Sequence, residues 1–114
     1  MAPKNFYPKG GYIFREGESA DYAYILKEGS VEIVKTAADG DMVLVTLSEP
    51  NTIFGEMALI DDSARMATAR AVGGATEALV VSRRIFEEKL ESADPFLRAL
   101  ITILAKRVRP MVGK

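Results

Sequence analysis

The chain has 114 residues, of which 48% are hydrophobic and 27% are charged, a composition typical of one soluble globular domain. It contains neither cysteine nor histidine. Disulfides, thiolate metal sites, His/Cys zinc centres and Ser-His catalytic triads are therefore excluded within these residues.

The net charge of −1 is unevenly distributed along the chain. Residues 1–94 hold all 16 acidic residues and carry −6, whereas residues 95–114 carry +5 without an acid. Such a basic segment either complements a helix C-terminus or binds nucleic acid. We favour the first, because the acidic remainder would repel a phosphate backbone. No apolar run is long enough to span a membrane or resembles a signal peptide, which predicts a cytoplasmic location.

Residues 1–10 are polar, contain two prolines, and predict an irregular lead-in. After them, short apolar runs alternate with turn signals, a pattern typical of a sandwich, jelly roll or small barrel. Asp39-Gly40 predicts a hairpin tip. The predicted strands are Tyr12–Phe14, Tyr22–Leu26, Val31–Val34, Met42–Leu47, Thr52–Phe54, Ala67–Val72 and Ala78–Val81.

The pattern becomes helical after Ser82, which predicts the N-cap of a helix over Arg83–Glu91. Asp94-Pro95 predicts the cap and first position of a second helix, which Pro110 and Gly113 would end. Apolar residues recur at helical spacing in it and predict a buried stripe: Phe96, Leu97, Leu100, Ile101, Leu104 and Val108. We therefore expect one domain over 1–114, with a β-roll over about 10–82 and helices over about 83–109.

The segment from residue 54 to residue 68 combines groups that suit a sugar phosphate. Gly55 leaves the backbone open to close approach by a ligand. Arg65 can grip a phosphate with two charge-assisted hydrogen bonds, and Glu56 can accept from a sugar hydroxyl. Met57–Ile60 predicts one helical turn, whose opening amides suit an anion. A solvated ion pair between Glu56 and Arg65 is the alternative, but the flanking small residues favour a ligand site.

This segment resembles the phosphate-binding cassette of cyclic nucleotide-binding domains, whose pattern is roughly Phe-Gly-Glu-x-Ala-Leu, a short loop, then Pro-Arg-x-Ala-Thr. Only the proline differs, because Ala64 stands there. The matching residues are Phe54, Gly55, Glu56, Ala58, Leu59, Arg65, Ala67 and Thr68. Gly11–Gly17, Asp21, Tyr24-Ile25 and Gly29–Val31 are similar to the family's first strands, so the resemblance covers about residues 6–109.

The resemblance implies a mainly β fold, a jelly-roll-like β-roll with the cassette inserted and two C-terminal α-helices. It implies a ligand, cAMP or possibly cGMP, with no catalytic cofactor and no metal. The implied ligand-binding residues are Phe54, Gly55, Glu56, Met57, Ala58, Leu59, Arg65, Met66 and Ala67, together with Val45 and Leu47. Val45 and Leu47 are also expected in the core.

The position after the cassette arginine often holds alanine in family members that prefer cAMP and threonine in those that prefer cGMP. A threonine hydroxyl can bond the guanine amino group, and Met66 has no hydroxyl, which favours cAMP. Residues near the end of the chain are candidates for covering the base: Arg107, Val108, Met111 and Val112.

We therefore expect a regulatory sensor that binds a cyclic nucleotide, performs no chemistry on it, and passes the signal to its C-terminal helices. An effector domain, or a homodimer through the C-terminal helix, would be its partner. Two alternatives remain open: a non-switching scaffold or oligomerisation domain of the same fold, and the sensor half of a transcription regulator.

Overall fold

The computed structural model describes residues 3–60 and 62–112, and within residues 105–112 it describes the backbone only. Among these residues, eight strands form two antiparallel four-stranded sheets, which confirms the predicted β-roll. The strands are β1 (Lys4–Tyr7), β2 (Tyr12–Phe14), β3 (Tyr22–Glu28), β4 (Val31–Ala37), β5 (Gly40–Leu47), β6 (Ile53–Phe54), β7 (Thr68–Ala71) and β8 (Thr76–Ser82).

The strand order is β1-β8-β3-β6 in one sheet and β2-β7-β4-β5 in the other. Alternating residues of both sheets meet between them, since successive side chains of a strand point to opposite faces. The core formed there consists of Tyr24, Leu26, Val31, Phe54, Ala69, Ala78 and Val80. The predicted hairpin is confirmed, because Ala37 pairs with Gly40 and the chain reverses between them.

The prediction of an irregular lead-in is wrong, because residues 4–7 form β1 and pair with β8. Three of the four residues of β1 are exposed, including Phe6. An edge strand of this kind shows little apolar alternation, so its sequence did not distinguish it from a loop.

The part of the chain that the structure describes also contains three helices: α1 (Met57–Ile60), α2 (Arg83–Glu91) and α3 (Pro95–Val112). Both predicted caps are present, since Ile85 N donates to Ser82 Oγ over 3.2 Å and Phe96 N donates to Asp94 Oδ2 over 2.9 Å. The prediction that Pro110 ends α3 is wrong, because the helix continues to Val112. Pro110 lacks the N–H that would donate to a carbonyl one turn earlier, so the helix continues with one hydrogen bond fewer.

The described part of the apolar stripe on α3 is exposed, so the prediction that it is buried is wrong. Phe96 is 71% exposed, and Leu97, Leu100, Ile101, Ile103 and Leu104 are also exposed. The main neighbour of α3 is α1, a single helical turn that is too short to cover the stripe. Val108 lies outside the described side chains. No helix in the described residues is both long and apolar enough to cross a membrane.

A second, smaller core cluster joins the cassette to the helices. It contains Ala20, Ala23, Ala58 and Leu59, with Phe86 and Val81 packed against it. Ala58 and Leu59 belong to α1, and Phe86 belongs to α2. The cassette turn is therefore packed between the roll and α2.

Candidate functional site

A pocket of about 250 Å³ lies between the cassette and the β4–β5 hairpin. This volume is slightly below the range of about 300–1,000 Å³ that small-molecule sites occupy. Its lining is mostly apolar, with one carboxyl and one guanidinium. The lining residues are Phe14, Ile33, Leu44, Val45, Leu47, Ile53, Phe54, Gly55, Glu56, Met57, Ala58, Arg65, Met66 and Ala67.

The pocket brings together all the ligand-binding residues that the resemblance implies except Leu59. Leu59 is only 4% exposed and belongs to the second core cluster, through which α1 packs against the roll. The expectation that Val45 lies in the core is wrong, since 46% of its surface is exposed at the pocket rim. Leu47 is half-buried against the main core.

An irregularity in β5 explains why sequence analysis missed part of the lining. Ile33 pairs with Val45 and Val34 pairs with Val43, which leaves Leu44 as an extra residue, a β-bulge. A bulge redirects the side chains beside it, so Leu44 and Val45 both line the pocket although they are consecutive. The other missed residues are Phe14, Ile33 and Ile53. The apolar alternation of β4 indicated an inward face for Ile33, but the local sequence did not identify Val45 as the residue of β5 that pairs with it.

The Arg65 guanidinium is the central group of the site. Arg65 is 5% exposed, and it donates from one terminal nitrogen to the Gly55 carbonyl over 2.6 Å and from the other to the Tyr22 carbonyl over 2.5 Å. Its guanidinium carbon lies 4.0 Å from the centre of the Phe14 ring. Two carbonyls and one aromatic face therefore hold the cation against the wall of the pocket.

Arg65 has no close counter-ion among the residues that the structure describes. No carboxylate oxygen of these residues lies within 4.0 Å of its guanidinium nitrogens. Its Nε–H is buried and donates to no acceptor in this part of the chain. Burial lowers the pKa of the Arg65 guanidinium, and the more distant Tyr24, Glu18, Asp21 and Glu56 partly offset this effect. A buried cation with an unused donor favours the entry of an anion.

Backbone hydrogen bonds fix the segment that carries Arg65. The Arg65 amide donates to the Glu18 carbonyl over 2.9 Å, and the Gly17 amide donates to the Arg65 carbonyl over 2.8 Å. One residue later, Lys35 Nζ donates to the Met66 carbonyl over 2.9 Å and pairs with Glu16 at 3.2 Å. The turn between β2 and β3, together with β4, therefore sets the position of the Arg65 backbone.

Glu56 lines the same pocket. Burial raises the pKa of the Glu56 carboxyl above its ordinary value, although its own amide and the Arg65 charge partly offset this effect. Gly55 precedes it with a φ of 76°, a left-handed conformation that a glycine adopts without strain. The described residues therefore place a partly buried acceptor and a buried cation in the lining of one apolar pocket.

These described residues contain no group of three or more His, Cys, Asp or Glu side chains placed to hold a metal ion. The pocket can hold a molecule that has an anionic end, a hydroxyl-bearing middle and an apolar body. Arg65 would bind the anionic end, Glu56 would accept from the hydroxyl, and the rim of β5 would contact the apolar body.

Comparison with known proteins identifies relatives of this arrangement. Residues 4–93 match the family described as the cyclic nucleotide-binding domain. The CRP-like cAMP-activated global transcriptional regulator of Mycobacterium tuberculosis is 32% identical over 111 residues, which cover 96% of this chain and 48% of the relative. The cGMP-dependent protein kinase 2 of Mus musculus is 32% identical over 96 residues, covering 83% of this chain and 13% of the kinase.

Among solved structures, the cAMP-bound form of the EAL enzyme Bd1971 superposes with a TM-score of 0.86 at 35% sequence identity. The match covers 97% of this chain and 29% of that one. The chain spans about half the length of the bacterial regulator it matches and a smaller share of the kinase and of the EAL enzyme.

Glu56→Gln should stabilise the ligand-free protein at neutral pH. The folded state raises the pKa of Glu56 above its ordinary value of 4.5, so folding disfavours the charged form. This penalty is absent below pH 4.5, develops as the pH rises through the folded pKa, and is complete above it. Thermal melting of both proteins from pH 4 to pH 8 should show the variant gaining stability as the pH rises. A difference that is independent of pH, or a loss at neutral pH, would contradict the buried charge.

Proposed function

The chain belongs to the cyclic nucleotide-binding domain family, and we propose that it is a regulatory sensor whose pocket binds cAMP in preference to cGMP. The observation that carries this proposal is the Arg65 guanidinium, buried beside the pocket with an unused Nε–H and without a close carboxylate among the described residues. The anion that completes this environment is the cyclic phosphate, and Arg65 is its principal ligand.

Each end of the nucleotide has a partner of suitable chemistry. Arg65 retains three N–H groups beyond the two that its terminal nitrogens donate to backbone carbonyls, and these bind phosphate oxygens. The amides of Gly55, Ala58 and Met66 complete the phosphate cradle. Glu56 accepts from the 2′-hydroxyl of the ribose, and this hydrogen bond compensates for part of the cost of burying its charge.

The apolar rim receives the base. Val45, Leu47 and Ile33 offer a flat apolar wall of the kind that covers one face of a purine. Met66 lines the same pocket and has no hydroxyl for the guanine amino group, which favours adenine. The preference is expected to be modest, since the EAL enzyme that resembles this chain has been solved with cAMP and with cGMP.

Binding, and not conversion, is the proposed activity. Hydrolysis of a cyclic phosphate requires a metal or a general base poised beside the phosphate. In this proposal the phosphate end is met by a cation and backbone amides, and the carboxyl of Glu56 reads the sugar.

In this proposal, ligand binding changes the position of the C-terminal helices. A nucleotide that draws in the cassette shifts α1, and α1 packs against α2 through the second core cluster and lies beside α3. The exposed stripe of α3 is then free to take a second position, because few contacts hold it in the first. Arg107, Val108, Met111 and Val112 would cover the base, and their side chains lie outside the described residues.

The exposed stripe of α3 also favours a second candidate function, a scaffold or oligomerisation domain. Exposed apolar residues at helical spacing are typical of a helix that pairs with another helix. A homodimer through α3 is compatible with both functions. The matched regulator and kinase extend well beyond the region they share with this chain, so an attached effector domain is the other proposed partner. The cytoplasmic location stays a prediction.

Arg65→Ala should weaken cAMP binding by roughly 10²-fold or more, because each charge-assisted hydrogen bond contributes about 1.5–3 kcal/mol. Arg65→Lys should recover little, since an ammonium cannot reproduce the fork of a guanidinium. The measurement is calorimetric titration with cAMP, and Arg84→Ala is the control because Arg84 is exposed on α2. Unchanged affinity in a folded Arg65→Ala protein would refute the phosphate assignment.

Glu56→Gln should weaken cAMP binding by about 1–2 kcal/mol, because a neutral acceptor replaces a charged one. The same substitution should have little effect on 2′-deoxy-cAMP, which lacks the hydroxyl that Glu56 is proposed to accept from. Competition titrations of both nucleotides against both proteins form a double-mutant cycle. An equal loss for the two nucleotides would show that Glu56 does not read the sugar.

Hydrogen exchange with and without cAMP should separate the sensor from the scaffold. A sensor requires added protection over residues 55–66 and a change, of either sign, in α3. The change in α3 is expected because its exposed stripe leaves it weakly held. Protection confined to the cassette, with α3 unaffected, would favour the scaffold.

A further inference from the structure

We propose that Phe14 is a positioning residue for the phosphate-binding arginine, an inference that rests on the proposed function. Its ring centre lies 4.0 Å from the guanidinium carbon of Arg65, well within the distance of about 6 Å at which a cation and an aromatic face attract each other. The pair is 51 positions apart in sequence and lies at the wall of the pocket. The Phe14 ring therefore contacts a face of the guanidinium, which hydrogen bonds in the guanidinium plane do not reach.

The hydrogen bonds of Arg65 fix its position only within the plane of the guanidinium. The carbonyls of Gly55 and Tyr22 accept from its two terminal nitrogens, and both bonds lie near that plane. Tilting out of the plane is opposed by the Phe14 ring on one side, with the Tyr24 ring farther away at 5.8 Å. An untilted guanidinium keeps its unused Nε–H at one place, which is what an oxygen of a bound phosphate requires.

Other aromatic rings hold the Phe14 ring in place. Phe14 stacks on Tyr24 with ring centres 5.8 Å apart, and Tyr24 stacks on Phe54 at 5.4 Å. Tyr24 and Phe54 belong to the main core, and Phe14 packs against that core. The three rings extend from the centre of the roll to the guanidinium, so the core fixes the ring against which Arg65 lies.

Gly55 makes room for this contact. A Cβ atom at Gly55 would lie 3.0 Å from a terminal nitrogen of Arg65 and 3.0 Å from Cε2 of Phe14, closer than almost all real contacts. With a side chain there, the ring and the cation would each have to shift by a few tenths of an ångström. The glycine of the cassette thus serves the stacking as well as the approach of the ligand.

The chain offers a matched control on the same strand. Arg15 lies over the ring of Tyr12 at the same 4.0 Å, but both residues are exposed and neither lines the pocket. Removing that ring disturbs β2 in a similar way and leaves Arg65 untouched. Tyr12→Leu should therefore bind cAMP within about twofold of the unmodified protein.

Phe14→Leu should bind cAMP roughly three- to thirty-fold more weakly, which is the range expected for a desolvated cation–aromatic contact. Phe14→Tyr keeps the aromatic face and should restore most of the affinity. Because a large-to-small change near the core can unfold the protein, fluorinated phenylalanines at position 14 form the second series. They keep the shape while weakening the negative face of the ring, so affinity should fall with each added fluorine.

NMR of the ligand-free protein tests the positioning directly. The Phe14 ring should shift the Arg65 Nε–H resonance upfield, and Phe14→Leu should remove that shift while Tyr12→Leu leaves it. This readout needs no nucleotide, so failure of the unmodified protein to bind cAMP would refute the proposed function without deciding the positioning. The positioning is refuted if Phe14→Leu leaves both the resonance and the affinity unchanged. It is also refuted if Phe14→Leu, introduced into the Arg65→Lys protein, weakens cAMP binding as much as it does in the unmodified protein. That result would make Phe14 a direct contact of the ligand.

Discussion

The burial of the Arg65 guanidinium is the constraint on which the site depends. A cation that is 5% exposed, without a carboxylate within 4.0 Å among the described residues, is stable only because backbone carbonyls and an aromatic face replace part of its hydration. Those partners come from β2, β3 and the cassette, which the two-sheet fold brings together. The fold therefore holds a positive charge in place and leaves its buried Nε–H without an acceptor among the described residues. In our account, a cyclic phosphate is the group that uses it.

Glu56 is a second charged group whose burial disfavours folding. Burial raises the pKa of its carboxyl, so the ligand-free protein keeps a disfavoured charge in the pocket. In our account, a sugar hydroxyl would supply a further hydrogen bond to this carboxylate. Arg65 and Glu56 are both less favourable for folding than apolar residues would be, which is common where a binding site is formed in advance of its ligand. The exposed stripe of α3 is a third feature of this kind, because its apolar side chains lie in contact with water.

Local rules predicted much of the fold. The strand runs, the Ser82 cap and the Asp94-Pro95 start of α3 depend on neighbouring residues, and all are present. Features that depend on distant partners were missed. β1 is recognisable only through its pairing with β8, the bulge at Leu44 only through β4, and the exposure of α3 only through the small size of α1. The cassette residues were found because their chemistry is contiguous, whereas Phe14 and the Tyr22 carbonyl reach Arg65 only in the folded chain.

The most direct test is a crystal structure of the protein grown with cAMP. The account predicts one nucleotide in the pocket, with a phosphate oxygen within about 3.2 Å of an Arg65 guanidinium nitrogen and the 2′-hydroxyl within the same distance of a Glu56 carboxyl oxygen. Arg65 should remain stacked on Phe14. A nucleotide bound elsewhere, or a phosphate that leaves the Arg65 guanidinium without contact, would contradict the account.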